Sequence, residues 1–279
     1  MQSIGIIILA LNEEEAIRTC IESAKLLTSN VTVLDSGSKD QTGRIAVAAG
    51  AQVVQFRWNG AYPKKKQWSL DNLYLDTDWV LLMDADERLS PALASEIKEV
   101  LAGSPVSAFE IPVQYHWRGE VLRHGQTVYK RTMLRRGACK FPEIDDLDAP
   151  GSTEVEGHYQ PLVRGAIGRL QSRLIHDDPD PIHDWFARHN RYSDWEAFIQ
   201  IRPEVRAATR AAKSSQGRIF DRMPLKPVVI FIYNYFIKQG FRDGRPGFEF
   251  AFSLMFYHAQ IQMKIREAAA KSQEQYRSN

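Results

Sequence analysis

The first ninety residues alternate between short apolar runs and segments in which apolar residues recur every three or four positions. The apolar runs are typical of strands buried in a parallel sheet, and they occupy residues 4–11, 31–34, 52–56 and 79–83. Residues 12–27 open with Asn12 and three glutamates, which predicts a helix because acidic side chains favour helix amino ends. Residues 42–49 predict a second helix. This alternation indicates an α/β fold with a mostly parallel sheet.

The pattern changes in the last hundred residues, which are mainly helical. We therefore expect an α/β domain at residues 1–180 and a helical extension at residues 181–279. The chain has two cysteines, which favours a reducing compartment, and its first residues lead into a strand without the pattern of a signal peptide. A net charge of +2 gives no reason to expect nucleic acid as a partner.

Polar side chains suited to a ligand follow three of the predicted strands. They are Asn12 and Glu14 after the first, Asp35 and Asp40 after the second, and Asp84 and Asp86 after the fourth. Open α/β sheets bind their ligands outside the carboxyl ends of the strands, so we expect these groups to lie along one edge. An alternative for Asp35 and Asp40 is that they only cap the following helix.

Carboxylates in this arrangement suit a nucleotide-activated sugar. They can bind the base and the ribose hydroxyls, but they repel a diphosphate unless a divalent cation lies between them. Oxygen ligands suit Mg²⁺ or Mn²⁺, and we expect Asp86 to hold the cation and Asp84 to bind the ribose. The run 64–66 is three lysines, which can supply further positive charge or form a solvated loop.

Three segments together resemble the GT-A-fold, family two inverting glycosyltransferases, especially the lipopolysaccharide-core β-glucosyltransferases. Residues 8–14 read ILALNEE, residues 33–42 read VLDSGSKDQT and residues 82–87 read LMDADE. A fainter similarity continues through residues 165–176, 186–193 and 240–247. The resemblance implies that Asp35 contacts the base, Asp84 the ribose and Asp86 the cation. It also implies a donor site that includes Ala10, Asn12, Glu14, Lys66 and Ala85.

Inverting transfer needs a carboxylate to deprotonate the acceptor hydroxyl. The resemblance implies that this base follows the metal motif, where our order of preference is Glu156, then Glu154, then Asp146. The chain departs from the commoner His-Glu pair of the family because His158 follows the acid. The acids at 154 and 156 can also be exposed residues on one face of a strand.

His176 follows a predicted strand at residues 170–175. One of its ring nitrogens can complete the coordination of the cation or contact the β-phosphate. A capping or core histidine is the alternative.

The carboxyl-terminal part combines basic and apolar segments. Seven bases recur about every four residues, which suggests one helical face: Arg202, Arg206, Arg210, Lys213, Arg218, Arg222 and Lys226. Two aromatic, apolar runs follow at residues 228–237 and 248–263, and charged residues leave both too short to span a bilayer. We expect them to lie in the interface of an anionic membrane, and the alternative is packing against the catalytic domain or a second subunit.

The sequence thus predicts a metal-dependent enzyme on the cytoplasmic face of a membrane. It would move a hexose, with glucose favoured by the resemblance, from a UDP-sugar to a lipid-linked or lipopolysaccharide-type acceptor. One alternative is a sugar nucleotidyltransferase, which would carry a glycine-rich loop after its first strand, and residues 10–15 contain no glycine. The other alternative is a non-catalytic binding or regulatory subunit.

Overall fold

The predicted strands form one half of a ten-stranded sheet in the computed structural model. It describes residues 2–157, 159–211 and 225–278, with side chains except at 210–211 and 272–278. These strands are β1 (Ile4–Ala10), β2 (Val31–Asp35), β3 (Gln52–Gln55) and β4 (Trp79–Asp84). They run parallel in the order β3-β2-β1-β4, with Ala10 opposite Asp35 and Leu9 opposite Asp84. Their carboxyl ends therefore lie at one edge, as expected.

Four helices connect the strands in this part of the chain: α1 (Ile17–Ala24), α2 (Thr42–Ala48), α3 (Lys65–Asn72) and α4 (Pro91–Val100). The expectation that a helix opens at Asn12 is wrong by five residues. Asn12 has a φ of 57°, a left-handed conformation that asparagine tolerates and a helix interior does not. The chain turns there before Ile17 begins α1.

The other half of the sheet is mixed. It contains β5 (Glu87–Leu89), β6 (Ala108–Trp117), β7 (Glu120–Val121), β8 (Tyr129–Arg135), β11 (Ile167–Arg169) and β12 (Leu174–His176). Strands β9 (Cys139–Lys140) and β10 (Leu162–Val163) form a separate pair. Strand β8 runs antiparallel between β4 and β6 and joins the halves. The strand expected at residues 170–175 is β12, which begins at Leu174 and includes His176.

The last part of the described chain is helical, as predicted. Its helices are α5 (Ile182–Ile201), α6 (Pro203–Ala211), α7 (Lys226–Ile232) and α8 (Gly244–Ser278). A π-helical turn (Tyr233–Ile237) and a 3₁₀ turn (Gly240–Asp243) separate α7 from α8. The mixed α/β sheet with carboxyl-terminal helices confirms the predicted fold class. The boundary at residue 180 stays a prediction.

The carboxyl-terminal helices share the core of the sheet. Trp195, Ile199 and Val205 are buried in the same apolar cluster as Ile7 and Leu9 of β1. In the described ranges, no helix is long and apolar enough to cross a membrane.

The seven bases do not form one uninterrupted helical face. Arg202 lies between α5 and α6 in an extended conformation, which the following Pro203 favours, and Lys226 begins a separate helix. Three of the bases lie outside the described residues: Lys213, Arg218 and Arg222. The side chain of Arg210 is not described either.

Candidate active site

Asp35 ends β2 in a fixed orientation. One carboxylate oxygen accepts hydrogen bonds from the amide and hydroxyl of Ser38, at 3.0 and 2.5 Å, and the other accepts one from the Gln55 side chain at 2.9 Å. Burial raises the pKa of Asp35, but these hydrogen bonds outweigh it and lower the pKa. The carboxylate therefore stays ionised and fixed in direction.

Asn12 and Glu14 contact the turn after β2. The Asn12 side-chain oxygen accepts from the Lys39 amide at 2.8 Å, and Glu14 accepts from the Gln41 amide at 2.9 Å. Asp40 accepts hydrogen bonds from the amide of Thr42, the first residue of α2, at 3.0 Å and from the amide of Glu14 at 3.2 Å, while the N-cap position of α2 is Gln41. In this structure these side chains bind the turn that presents Asp35.

Asp84 ends β4 between a lysine and a glutamate. Lys130 Nζ lies 2.7 Å from Asp84 Oδ2 and 2.5 Å from Glu87 Oε1, and the Asp84 amide donates to Glu87 Oε2 at 2.9 Å. Burial raises the pKa of Asp84, but Lys130 and Lys66 outweigh it and hold the pKa well below its usual range. Glu87 is fully buried, whereas 39% of the Asp84 side chain is exposed and can meet a ligand. The adjacent Ala85 is buried in the core.

Asp86 and His176 face each other across the strand ends. Asp86 Oδ1 and His176 Nδ1 lie 3.3 Å apart; both atoms are buried, and neither has a hydrogen-bond partner within the described chain. Burial lowers the pKa of His176, but the Asp86 carboxylate outweighs it and raises the pKa. The structure thus brings together the two residues that the sequence assigned to the cation.

This pair fits a divalent cation as an incomplete site. A buried carboxylate oxygen and a buried ring nitrogen without hydrogen bonds are both metal ligands by type. Among residues 2–157, 159–211 and 225–278, no cluster of three or more histidine, cysteine, aspartate or glutamate side chains could hold a metal. Any cation here would therefore take other ligands from a bound substrate and water.

The lysine run does not form a solvated loop. Lys65 is buried; its ammonium donates to the Ala10 carbonyl at 2.9 Å and lies 3.9 Å from Glu154. Burial lowers its pKa to about 8, although Glu154, Asp35 and Asp84 oppose the shift. Lys65 therefore adds positive charge to the strand edge.

The three candidate bases differ in what their carboxylates already bind. Both oxygens of Glu156 accept backbone hydrogen bonds at the start of α3, from Lys66 at 2.8 Å and Gln67 at 2.7 Å. Asp146 is fully buried, 3.0 Å from Lys64 Nζ, and accepts hydrogen bonds from Tyr62 and Trp195 at 2.6 and 2.8 Å. The side chain of Glu154 is 22% exposed. His158 lies outside the described residues.

A further acid, Glu13, joins the site from the end of β1. Burial raises its pKa to about 8, and the nearby charges of Asp86, Asp180 and Asp178 add to the effect. Asp178 and Asp180 also line an open cavity of about 580 Å³, together with Arg118, Gly119 and the other residues of 177–182. It is large enough for part of a saccharide.

The sequence predicts neither Glu13 nor Lys130 as a site residue, and it predicts Lys65 only as part of the lysine run 64–66. Glu13 and Lys65 lie inside motifs already noted, so a signal was present. Lys130 carries no local signal, because its position depends on which strand pairs with β4. Trp79 of β4 pairs with Arg135 of β8, and Leu81 pairs with Met133. Counting the same register onward to the end of β4 places Lys130 opposite Asp84.

Comparisons with known proteins agree with this geometry. The chain matches the model described as Glycosyl transferase family 2 over residues 5–167, which is more than half of its length. An uncharacterized glycosyltransferase of Rickettsia conorii is 40% identical, with 97% of this chain and 92% of that protein covered. The lipopolysaccharide core biosynthesis glycosyltransferase LpsC of Rhizobium meliloti is 27% identical, with 86% of this chain and 83% of that protein covered.

One solved structure shows a partial similarity. It is a glucosyl-3-phosphoglycerate synthase from Mycobacterium tuberculosis in complex with Mn²⁺ and uridine-diphosphate-glucose, 27% identical, with a TM-score of 0.33. The match covers 41% of this chain and 44% of that one, so the chain spans less than half of that structure.

Proposed function

The chain belongs to glycosyl transferase family 2 and is a glycosyltransferase, and from this premise we propose that it moves a hexose from a UDP-sugar to a lipid-linked saccharide, with inversion. The observation that carries the proposal is the convergence of Asp35, Asp84 and the Asp86–His176 pair at one sheet edge. Family membership also decides against a nucleotidyltransferase and a non-catalytic subunit.

The donor's nucleoside would lie across the ends of β1, β2 and β4. Asp35 is ionised and held in direction by Ser38 and Gln55, which suits an acceptor for the imide of uracil. Asp84 is partly exposed and suits the ribose hydroxyls. The ammonium of Lys66 lies close enough to lower the pKa of Asp84, so its charge is available to the diphosphate.

Asp86 and His176 would hold Mg²⁺ or Mn²⁺. A cation bound there would supply Lewis-acid stabilisation of the departing diphosphate. The protein fixes the two ligand atoms at the strand ends. His176 is held in position because β12 pairs with both β5 and β6.

For the catalytic base, we propose Glu154 ahead of Glu156 and Asp146. A carboxylate that deprotonates a hydroxyl needs an accessible oxygen that does not already accept hydrogen bonds from the protein. Glu156 has both oxygens bonded to α3, and Asp146 is enclosed by Lys64, Tyr62 and Trp195. Glu154 is partly exposed; its Oε1 lies 3.9 Å from the ammonium of Lys65, and its carboxylate accepts no closer hydrogen bond within the described chain.

The acceptor proposal rests on the carboxyl-terminal helices and on one relative. Apolar side chains are exposed along α7, the π-helical turn and α8, among them Val228, Ile232, Phe236, Phe248, Phe252 and Phe256. Exposed Lys238, Arg242 and Arg245 flank them. Aromatic and basic residues in this arrangement suit attachment to an anionic membrane surface, and on the cytoplasmic face they would meet a lipid-linked acceptor. The similarity to LpsC supports a lipopolysaccharide-type acceptor.

A donor screen tests the proposal directly. Purified protein would be incubated with UDP-glucose, UDP-galactose and their N-acetylated counterparts, with Mn²⁺, with Mg²⁺ and with EDTA. We expect metal-dependent hydrolysis or thermal stabilisation with one donor, UDP-glucose first. Absence of binding and hydrolysis with every donor and both metals would overturn the UDP-sugar mechanism.

A further inference from the structure

Lys130 occupies an unusual position for a cation. It lies on β8, and the antiparallel pairing of β8 with β4 ends at Leu81 and Met133, three residues short of Asp84 and of Lys130 on their strands. Its ammonium is 2.7 Å from Asp84 Oδ2 and 2.5 Å from Glu87 Oε1, and 23% of its side chain is exposed. Two of the three acidic residues at positions 84–87, Asp84 and Glu87, therefore share one ammonium group.

The two aspartates of this pair meet different partners. Asp84 is held on two sides, at its amide by Glu87 Oε2 and at its carboxylate by Lys130. Asp86 Oδ1 has His176 Nδ1 at 3.3 Å and no hydrogen-bond partner in the described ranges. An oxygen in contact with an ammonium is poorly disposed to bind a second cation, because the two positive charges repel one another.

We propose that Lys130 is a positioning residue that holds Asp84 out of the cation's coordination sphere. Asp84 is thereby reserved for the nucleotide, and the cation is left to Asp86 and His176. The inference rests on the proposed metal-dependent function and assigns a task to a residue outside the motif. Glu87 completes the arrangement, because this fully buried carboxylate contacts the Lys130 ammonium through Oε1 and the Asp84 amide through Oε2.

The test measures Mn²⁺ affinity by calorimetry with and without UDP. Lys130→Met frees Asp84 to bind the metal, so Mn²⁺ affinity without UDP should rise about tenfold or more, and UDP affinity in the presence of Mn²⁺ should fall. Lys130→Arg keeps the charge and should behave like the wild type. Unchanged Mn²⁺ affinity in a folded Lys130→Met variant would overturn the proposal.

Two double variants separate positioning from other effects. The double variant Lys130→Met with Asp84→Asn should not show the rise in Mn²⁺ affinity, because an amide is a poor metal ligand. If the rise persists, it comes only from removing the repulsion between Lys130 and the cation, and the proposal is overturned. Lys130→Met with Glu87→Gln avoids an uncompensated buried carboxylate and should keep the gain even if the single variant is unstable. A wild-type protein that binds no Mn²⁺ even with UDP would overturn both this inference and the proposed function.

Discussion

Glu156 Oε1 accepts a hydrogen bond from the backbone amide of Gln67 at 2.7 Å, although 89 residues separate the two in the chain. The second oxygen binds the amide of Lys66, so the carboxylate caps the first turn of α3. Unpaired amides at a helix amino end attract a carboxylate strongly. The acid that the sequence ranked first as catalytic base is thus occupied in holding the lysine-bearing helix.

Glu154→Gln and Glu156→Gln should therefore have different effects. Loss of a general base lowers kcat by about 100-fold or more, and we expect this for Glu154→Gln with little change in the KM for the donor. Glu156→Gln should lower the free energy of unfolding by about 1 kcal/mol and affect kcat less. Steady-state kinetics and urea denaturation of both variants make the comparison. If Glu156→Gln is stable but inactive and Glu154→Gln keeps its activity, the catalytic base is Glu156.

The metal ligands should be separable from the nucleotide ligand. Asp86→Ala should abolish metal-stimulated UDP binding and transfer, because it removes one of the two proposed protein ligands of the cation. Asp84→Asn serves as the matched variant: it should weaken UDP binding and leave the concentration of Mn²⁺ needed for half-maximal activity unchanged. Calorimetry and activity titrations with Mn²⁺ measure both. An Asp86→Ala protein with normal metal dependence contradicts the assignment.

Glu13 should make the metal-free protein less stable as the pH rises. Its pKa is raised to about 8 in the folded state, so between pH 4.5 and 8 the folded protein holds a proton that the unfolded chain has released. Its contribution to stability is present below the unfolded pKa and is lost as the pH rises through 8. One pKa unit corresponds to about 1.4 kcal/mol, so we expect a loss of up to about 4 kcal/mol in EDTA between pH 5 and 8. Glu13→Gln should show a shallower dependence in urea denaturation; parallel curves for the two proteins would refute this.

Membrane attachment should depend on the exposed aromatic side chains. Phe236 is 57% and Phe252 is 45% exposed, so aspartate at these positions should leave the fold intact and remove flotation with anionic vesicles. Val47→Asp is the control, because Val47 is 62% exposed on α2 in the sheet-bearing part of the chain. Metal-dependent donor hydrolysis in solution should persist in all three variants. If the variant with aspartate at both Phe236 and Phe252 floats as well as the wild type, these side chains do not attach the protein to the membrane.

The buried network around Asp146 should be a major source of stability. Asp146→Asn leaves Lys64 buried without its counter-charge, and we expect a loss of about 3–5 kcal/mol. Trp195→Phe removes one hydrogen bond to the same carboxylate and should cost about 1–2 kcal/mol. Urea denaturation measures both against Tyr74→Phe, a control at an 89% exposed side chain. A change below 1 kcal/mol in Asp146→Asn contradicts the network's role.

The sequence predicts the parallel half of the sheet because its signals are local. Each of the four strands is a short apolar run, and the side chains at their carboxyl ends can be named once the strands are placed. The sequence also assigns Asp86 to the cation, with His176 as a second ligand in one of its alternatives, and the structure places the two side chains 3.3 Å apart. The start of α1 was missed because the left-handed conformation of Asn12 depends on its contact with the turn after β2.

Contacts between distant segments could not be predicted. Lys130 meets Asp84 across 46 residues only because β8 inserts between β4 and β6, and nothing in the local pattern gives that order. Glu156 binds the first turn of α3 across 89 residues of chain. The relative ranking of the three candidate bases therefore needed the burial and hydrogen bonds of each carboxylate, which are tertiary properties.

The contact of Trp195 with Asp146 limits how this enzyme can be recombined with its relatives. Helix α5 closes the core beneath β1 and also binds the segment that carries the three candidate bases. A chain cut after Asp180 would expose that core and leave Asp146 without its indole partner. Residues 141–159 and α5 would therefore have to be transplanted as one unit between two such enzymes.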